Sequence, residues 1–133
     1  MRAPVTEDRI QAGCVYWFRL QYPGRARLLF HVPNGGFRIA SEANRLHVMG
    51  VVAGVADLIY LEARGPWGAL CIEMKTPSKS SRQTAQQLEW QQAAERAGNR
   101  YEVCRSFEEF KAVIEDYLSY PASKVSEVRE VTF

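Results

Sequence analysis

The sequence of 133 residues has few cysteines and histidines, and this scarcity excludes several classes of protein. Its three cysteines, Cys14, Cys71 and Cys104, form no CxxC pair and no cluster with either of the two histidines. That pattern argues against a structural zinc site and against a disulfide framework. We expect three reduced thiols that pack as small apolar side chains, as is usual in a reducing cytosol.

Long apolar runs and a large excess of one charge are also missing. No apolar run reaches the roughly 18 residues of a membrane span, and the first nine residues lack the apolar core of a signal peptide. We therefore expect a cytoplasmic protein with no membrane partner. Lysine and arginine together number 17 and aspartate and glutamate 15, so the net charge is only +2. This balance allows a nucleic-acid partner but does not require one.

The order of apolar patterns and chain breaks predicts one α/β domain over residues 1–120. Helices are predicted from a cap at Thr6 to the break at 22–24, from a cap at Ser41 to 49, at 84–97, and after a cap at Ser106. Strands are predicted at 27–32, 57–61, 69–75 and 101–104, with the second and third joined as a hairpin. The order αβαββαβα favours a mixed central β-sheet flanked by helices. Residues 121–133 form a tail, either a late strand or a disordered end.

The third strand and the residue that opens the second carry the candidate chemistry. Because side chains alternate along a strand, Glu73 and Lys75 face the same way, opposite to three apolar residues that face a core. Those apolar residues are Leu70, Ile72 and Met74. Asp57 opens the partner strand of the hairpin, so the turn can bring its carboxylate close to that of Glu73.

Two carboxylates in contact need a cation, since they repel by roughly 4 kcal/mol at an effective dielectric near 20. Lys75 can supply it, but an oxygen-rich pair also suits Mg²⁺ or Mn²⁺, which activates water and neutralises charge on a phosphate. Lys75 would then orient the attacking water or stabilise the transition state. The structural alternative is an exposed Glu73–Lys75 ion pair, which contributes only about 0–1 kcal/mol.

Two helices offer further candidates for the same cleft. Gln87 is the polar member of an otherwise apolar stripe on the helix 84–97, which directs it at the site. Glu7 leads the inward stripe of the first helix. The alternative is a purely structural role, in which a carboxylate in the first turn stabilises the helix dipole. Gln11, one turn beyond Glu7, is the alternative residue to complete the site.

These residues resemble the VRR-NUC (virus-type replication-repair nuclease) branch of the PD-(D/E)XK nuclease superfamily. The matching segments are TEDRIQ, HVPNGG, MGVVAGVADLIYL, CIEMKTP, QQLEW and YEVCRSFEEF, in the family's order over roughly residues 6–118. The resemblance implies a restriction-endonuclease-like core in which Asp57 and Glu73 hold Mg²⁺ or Mn²⁺ and Lys75 assists the water. Gln87 looks like the family's helical glutamine and Glu7 like its first-helix acid, a further metal ligand. Ala56 departs from the family's usual proline.

Stand-alone family members of this size, from phages and bacteria, are thought of as homodimers that act on branched DNA. The resemblance therefore implies a cytoplasmic homodimer in a bacterial or phage-infected cell. The apolar tail positions give this dimer weak support; they are Val125, Val128, Val131 and Phe133.

Candidate phosphate contacts lie in two loops. Backbone amides in a glycine-rich turn can approach a phosphate closely, and basic side chains beside it can neutralise charge. The candidates are His31, Asn34, Gly35, Gly36, Arg38, Lys79 and Arg82. For the basic residues the alternative is a solvated loop, and for His31 a histidine packed in its strand. Trp67 can stack on a base or serve as a surface or interface aromatic.

Three functions fit these observations. The first is a metal-dependent endonuclease selective for branched DNA, of Holliday-junction or flap type. The second is a sequence-specific restriction-type nuclease, which 133 residues give little room to build. The third is a non-catalytic DNA-binding module, which replacement of Asp57, Glu73 or Lys75 would have favoured.

Overall fold

A computed structural model describes residues 6–33, 40–78 and 80–123. Several candidate residues lie outside this described part of the chain: Asn34, Gly35, Gly36, Arg38, Lys79 and the tail positions beyond 123. Within it, the element order αβαββαβα is confirmed, with one additional 3₁₀ helix at Pro23–Leu28.

The described strands form one mixed sheet in the order β1–β2–β3–β4. They are β1 (Leu29–His31), β2 (Leu58–Tyr60), β3 (Leu70–Met74) and β4 (Arg100–Cys104). The predicted hairpin is confirmed, because β2 pairs with β3 antiparallel in a register that sets Leu58 opposite Ile72. Strand β1 also pairs with β2 antiparallel, whereas β4 runs parallel to β3. A parallel pair needs a crossover connection, and the third helix supplies it.

The helices begin where capping side chains were predicted, with one exception. They are α1 (Glu7–Gln21), α2 (Ala40–Val48), α3 (Ala85–Arg96) and α4 (Phe107–Ser119). Thr6 Oγ1 accepts a hydrogen bond from Arg9 N, and Ser106 Oγ accepts one from Glu109 N, which satisfies free amides of each first turn. The exception is Ser41, which lies inside α2 rather than capping it.

The first strand is shorter than the predicted range 27–32 because Pro23 starts a helical turn. Proline fixes φ near the helical value and is favoured at a first helical position, so residues up to Leu28 are 3₁₀ and not extended. Backbone pairing nevertheless continues past both ends of β1. Leu61 N donates to Leu28 O, and Val32 N donates to Asp57 O, each at 2.9 Å.

Both faces of the sheet are covered, which explains why every residue of β3 is buried. On one face α1 and α4 pack over a large core that includes Phe18, Tyr60, Ile72, Phe110 and Ile114. On the other face α3 packs over a smaller core of Ala56, Cys71, Ala94 and Tyr101. Leu70, Ile72 and Met74 all belong to the large core, as their alternation predicted.

The three cysteines are free and buried, as expected. Burial raises the pKa of the Cys14 thiol to about 12 and that of Cys71 to about 11, so both remain protonated. Among the described residues, no helix is long and apolar enough to cross a membrane.

Candidate active site

A polar cleft of about 400 Å³ opens at one end of the sheet, between the start of α1 and the start of α3. The loop that precedes β2 and the strand β3 complete its walls. The charged and amide side chains that line it include Glu7, Asp8, Gln11, His31, Asp57, Glu73 and Gln87. The structure thus brings together candidates from two helices, two strands and a loop.

Glu73 is the most deeply buried acid of the cleft, with 1% of its surface exposed. Gln87 Nε2 donates to Glu73 Oε1 at 3.0 Å, and the Tyr101 hydroxyl donates to Oε2 at 3.3 Å. Burial raises the pKa of Glu73 to about 8, and the hydrogen bond and charge of Asp57 add to the effect. Without a cation, this carboxyl therefore binds a proton at neutral pH.

Asp57 lies immediately before β2 and is anchored to both neighbouring strands. Its Oδ2 accepts a hydrogen bond from Met74 N at 2.7 Å, which holds the carboxylate beside Glu73. Its backbone carbonyl accepts bonds from Val32 N at 2.9 Å and from His31 Nδ1 at 2.7 Å. A side-chain hydrogen bond also links Asp57 to Glu73, and it requires a proton on one of the two carboxyl groups.

Lys75 follows β3 on the same side of the strand as Glu73 and is only 7% exposed. Its charge lowers the pKa of Glu73, partly opposing burial. Within the described ranges no carboxylate forms an ion pair with it, and it does not line the cleft. The alternative of an exposed Glu73–Lys75 ion pair is wrong, because both side chains are buried.

Gln87 is held by the cap of α3. Thr84 Oγ1 accepts from Gln87 N at 3.1 Å and Gln87 Oε1 accepts from Thr84 N at 2.8 Å, which together form a capping box. The side-chain amide therefore has its oxygen fixed by the cap, and its nitrogen points at Glu73.

Gly54 lets the loop before β2 pass against this same turn of α3. Its φ is +87°, and a Cβ there would lie 2.4 Å from the carbonyl oxygen of Gln86. Only glycine tolerates both the backbone conformation and this approach. Gly54 is not among the predicted site residues, although a glycine three residues before the aspartate is a usable signal.

Glu7 and Gln11, the two candidates to complete the site, both line the cleft from α1. The described residues contain no group of three or more His, Cys, Asp or Glu side chains arranged to enclose a metal ion. A metal-binding role for Asp57, Glu73 and Glu7 stays a prediction.

The predicted substrate contacts are dispersed. His31 lines the cleft and is exposed, so the alternative of a packed strand histidine is wrong. Arg82 is exposed and does not line the cleft. Trp67 packs against Tyr117 and Tyr120 in a separate groove, with the Arg100 guanidinium 5.0 Å above its ring, so it does not face the cleft.

Two polar residues at the site were missed by the sequence analysis, Tyr101 and Gln83. Gln83 Nε2 donates to the Tyr101 hydroxyl at 3.1 Å and to Gln91 Oε1 at 2.9 Å. The parallel register sets Tyr101 opposite Cys71 and therefore on the same face as Glu73. Period-two alternation could have found Tyr101 if the pairing of β3 with β4 had been known.

Comparison with known proteins adds the family. The VRR-NUC domain model matches residues 5–108. A solved structure of a VRR_NUC domain protein is similar with a TM-score of 0.77 and 28% sequence identity, covering 90% of this chain and 93% of the other. No curated protein matches the chain. The family model spans most of the sequence and includes Asp57, Glu73 and Gln87, so the chain belongs to the VRR-NUC family and has its nuclease-type fold.

Proposed function

We propose that the protein is a Mg²⁺- or Mn²⁺-dependent endonuclease that hydrolyses phosphodiester bonds in DNA and selects branched structures. VRR-NUC domains are generally nucleases, which makes DNA the expected substrate. The proposal covers the metal, the branched substrate and the roles of the individual residues.

The pairing of the half-buried Asp57 with the buried Glu73 is the observation that carries the proposal. Burial, together with the neighbouring Asp57, raises the pKa of the Glu73 carboxyl to about 8, so a bound cation would favour its charged form. Two carboxylates suit a hard divalent cation, which usually keeps several water or phosphate ligands in addition to one or two protein carboxylates. Glu7, in the same cleft, is a candidate for a further ligand.

The protein's residues divide the chemical work. When bound, the cation supplies charge neutralisation at the scissile phosphate and favours deprotonation of the attacking water. Asp57 is preorganised by Met74 N, and Glu73 by Gln87. Lys75 does not line the cleft, but its buried positive charge lies close to Glu73. We propose that this charge helps to orient the water or to stabilise the charge that develops on the phosphate.

The proposed selectivity for branched DNA rests on the resemblance to stand-alone family members and is compatible with the charge of the chain. A net charge of +2 gives weak general attraction to a uniform duplex. A cleft that reads the shape of a junction or flap needs less of that attraction. We propose that His31, at the cleft, and the basic residues Arg38, Lys79 and Arg82 contact phosphates, together with the backbone of 34–36.

The test is cleavage of labelled linear, flapped, forked and four-way DNAs with Mg²⁺, Mn²⁺ or EDTA. We expect metal-dependent cutting of branched substrates, lost in Asp57→Asn and kept in Glu89→Gln, which alters an exposed acid on α3. Cutting of one linear sequence only would favour a restriction-type enzyme. Binding without cutting in any metal would favour a non-catalytic module.

The proposal includes a homodimer that acts in the cytoplasm of a bacterial or phage-infected cell. Two copies would present two clefts, which suits the two strands cut at a symmetric junction. Analytical ultracentrifugation should give the mass of two chains at micromolar concentration. A single-chain mass with full activity would remove the dimer and leave the nuclease.

A further inference from the structure

A chain of side-chain hydrogen bonds leads from the surface of α3 to Glu73. Gln83 Nε2 has two hydrogens, and they are directed at Gln91 Oε1 and at the Tyr101 hydroxyl oxygen, at 2.9 and 3.1 Å. Because this hydroxyl accepts from Gln83, its single proton is left to donate to Glu73 Oε2 at 3.3 Å. The hydrogen bonds therefore run from Gln83 to Tyr101 and from Tyr101 to Glu73.

The ring of Tyr101 is fixed in position by its packing and by its strand. The residue is 7% exposed, and its ring packs against Trp90 with the centroids 6.1 Å apart. Its backbone lies in β4, paired in register with β3. Tyr101 thus donates a hydrogen bond to Oε2 of Glu73, and Gln87 donates one to Oε1 at 3.0 Å. With one donor on each oxygen, the plane of the carboxylate is fixed.

We propose that Tyr101, backed by Gln83, is a positioning residue that aims the Glu73 carboxylate for a divalent cation. This inference rests on the proposed function, since it assigns Glu73 a cation to hold. Tyr101 does not touch the reacting atoms; it acts through Glu73. Residues that orient metal-binding carboxylates typically contribute about 10–100-fold to metal affinity or activity.

The decisive variant is Tyr101→Phe, which removes the hydroxyl and keeps the ring against Trp90. Titration calorimetry with Mn²⁺ alone should show affinity about 10–100-fold below that of the unaltered protein. Cleavage should show a fall in kcat at subsaturating Mn²⁺ with little change in KM for DNA. Saturating Mn²⁺ should recover part of the loss, because the carboxylate itself remains.

Tyr117→Phe is the matched control. It also removes a buried tyrosine hydroxyl, one that donates to Glu62 O on the far side of the sheet, away from the cleft. We expect it to lower thermal stability and to leave Mn²⁺ affinity within about twofold. Equal Mn²⁺ affinity in Tyr101→Phe and the unaltered protein would overturn the inference while the nuclease assignment stands.

Gln83→Leu tests the second link of the chain. Without its donor, the Tyr101 hydroxyl is free to rotate, so Mn²⁺ affinity should fall in the same direction by less. The double variant should be no weaker than Tyr101→Phe alone, because the two residues act through one bond. Additive losses would overturn the role of Gln83. Failure of the unaltered protein both to bind Mn²⁺ and to cut DNA would overturn the proposed function together with this inference.

Discussion

Replacing Glu73 with glutamine should change how the stability of the metal-free protein depends on pH. The ordinary pKa of 4.5 applies in the unfolded chain, and burial raises the folded value to about 8. Below pH 4.5 both states bind the proton, so nothing is lost. Between these values the unfolded chain releases a proton that the folded protein keeps. The free energy of unfolding therefore falls as pH rises, by about 1.4 kcal/mol per unit and by roughly 5 kcal/mol in all for this group.

Glutamine cannot ionise, so the unfolding free energy of Glu73→Gln should lack this part of its dependence on pH. Urea unfolding in EDTA at pH 5, 6, 7 and 8 measures it as the difference in unfolding free energy between the variant and the unaltered protein. The variant should gain relative stability steadily from pH 5 to pH 8, whereas Glu89→Gln, an exposed control, should follow the unaltered protein. Parallel pH profiles for Glu73→Gln and the unaltered protein would refute the reasoning.

Three further substitutions test individual contacts at the site and elsewhere in the fold. Gly54→Ala should lower the unfolding free energy by about 1–3 kcal/mol and slow cleavage, because the new Cβ would clash with Gln86 O. The control is Gly50→Ala, which is also at positive φ but has open space around it, so it should show the backbone strain alone. Equal effects of the two glycine variants in urea unfolding would contradict the close approach. Lys75→Met should reduce kcat at least about 100-fold while Mn²⁺ affinity by calorimetry stays within a few-fold, and a change in affinity alone would reassign the lysine. Arg64→Met should cost about 3 kcal/mol in thermal unfolding, since the buried guanidinium holds Leu118 O and Tyr120 O at the end of α4; an unchanged midpoint would show that this contact contributes little.

The part of the site that lies on one hairpin could be predicted from the sequence. Alternation in β3 and the short connection to β2 were enough to bring Asp57 near Glu73, because both signals are local. Gln87 could be added because helical periodicity placed it on the inward stripe of α3. The order of helices and strands along the chain likewise followed from the apolar segments and turns of the sequence.

The remainder depends on contacts between distant segments. The hydrogen bond from Tyr101 to Glu73 requires the parallel register of β4 with β3. Gln83 donates to the Tyr101 hydroxyl from a loop, which has no periodic pattern to predict it. The burial of Lys75 follows from the cover on both faces of the sheet, which the pair Glu-x-Lys does not reveal. The truncated first strand reflects Pro23, whose preference for a helical turn prevailed over the apolar run after it.

The antiparallel pairing of β2 with β3 also bears on the order in which the chain folds. Asp57 meets Met74 across 17 positions of sequence, whereas Tyr101 meets Glu73 across 28 and only after α3 has crossed over. Short-range pairings close at a lower entropic cost and tend to form earlier. The two acids are therefore expected to meet in the folding nucleus, before their tyrosine partner arrives. Stopped-flow refolding should then be faster at pH 5 than at pH 8, and Glu73→Gln should remove most of that difference. Equal refolding rates at the two pH values would show that Asp57 and Glu73 come together only after the folding transition state.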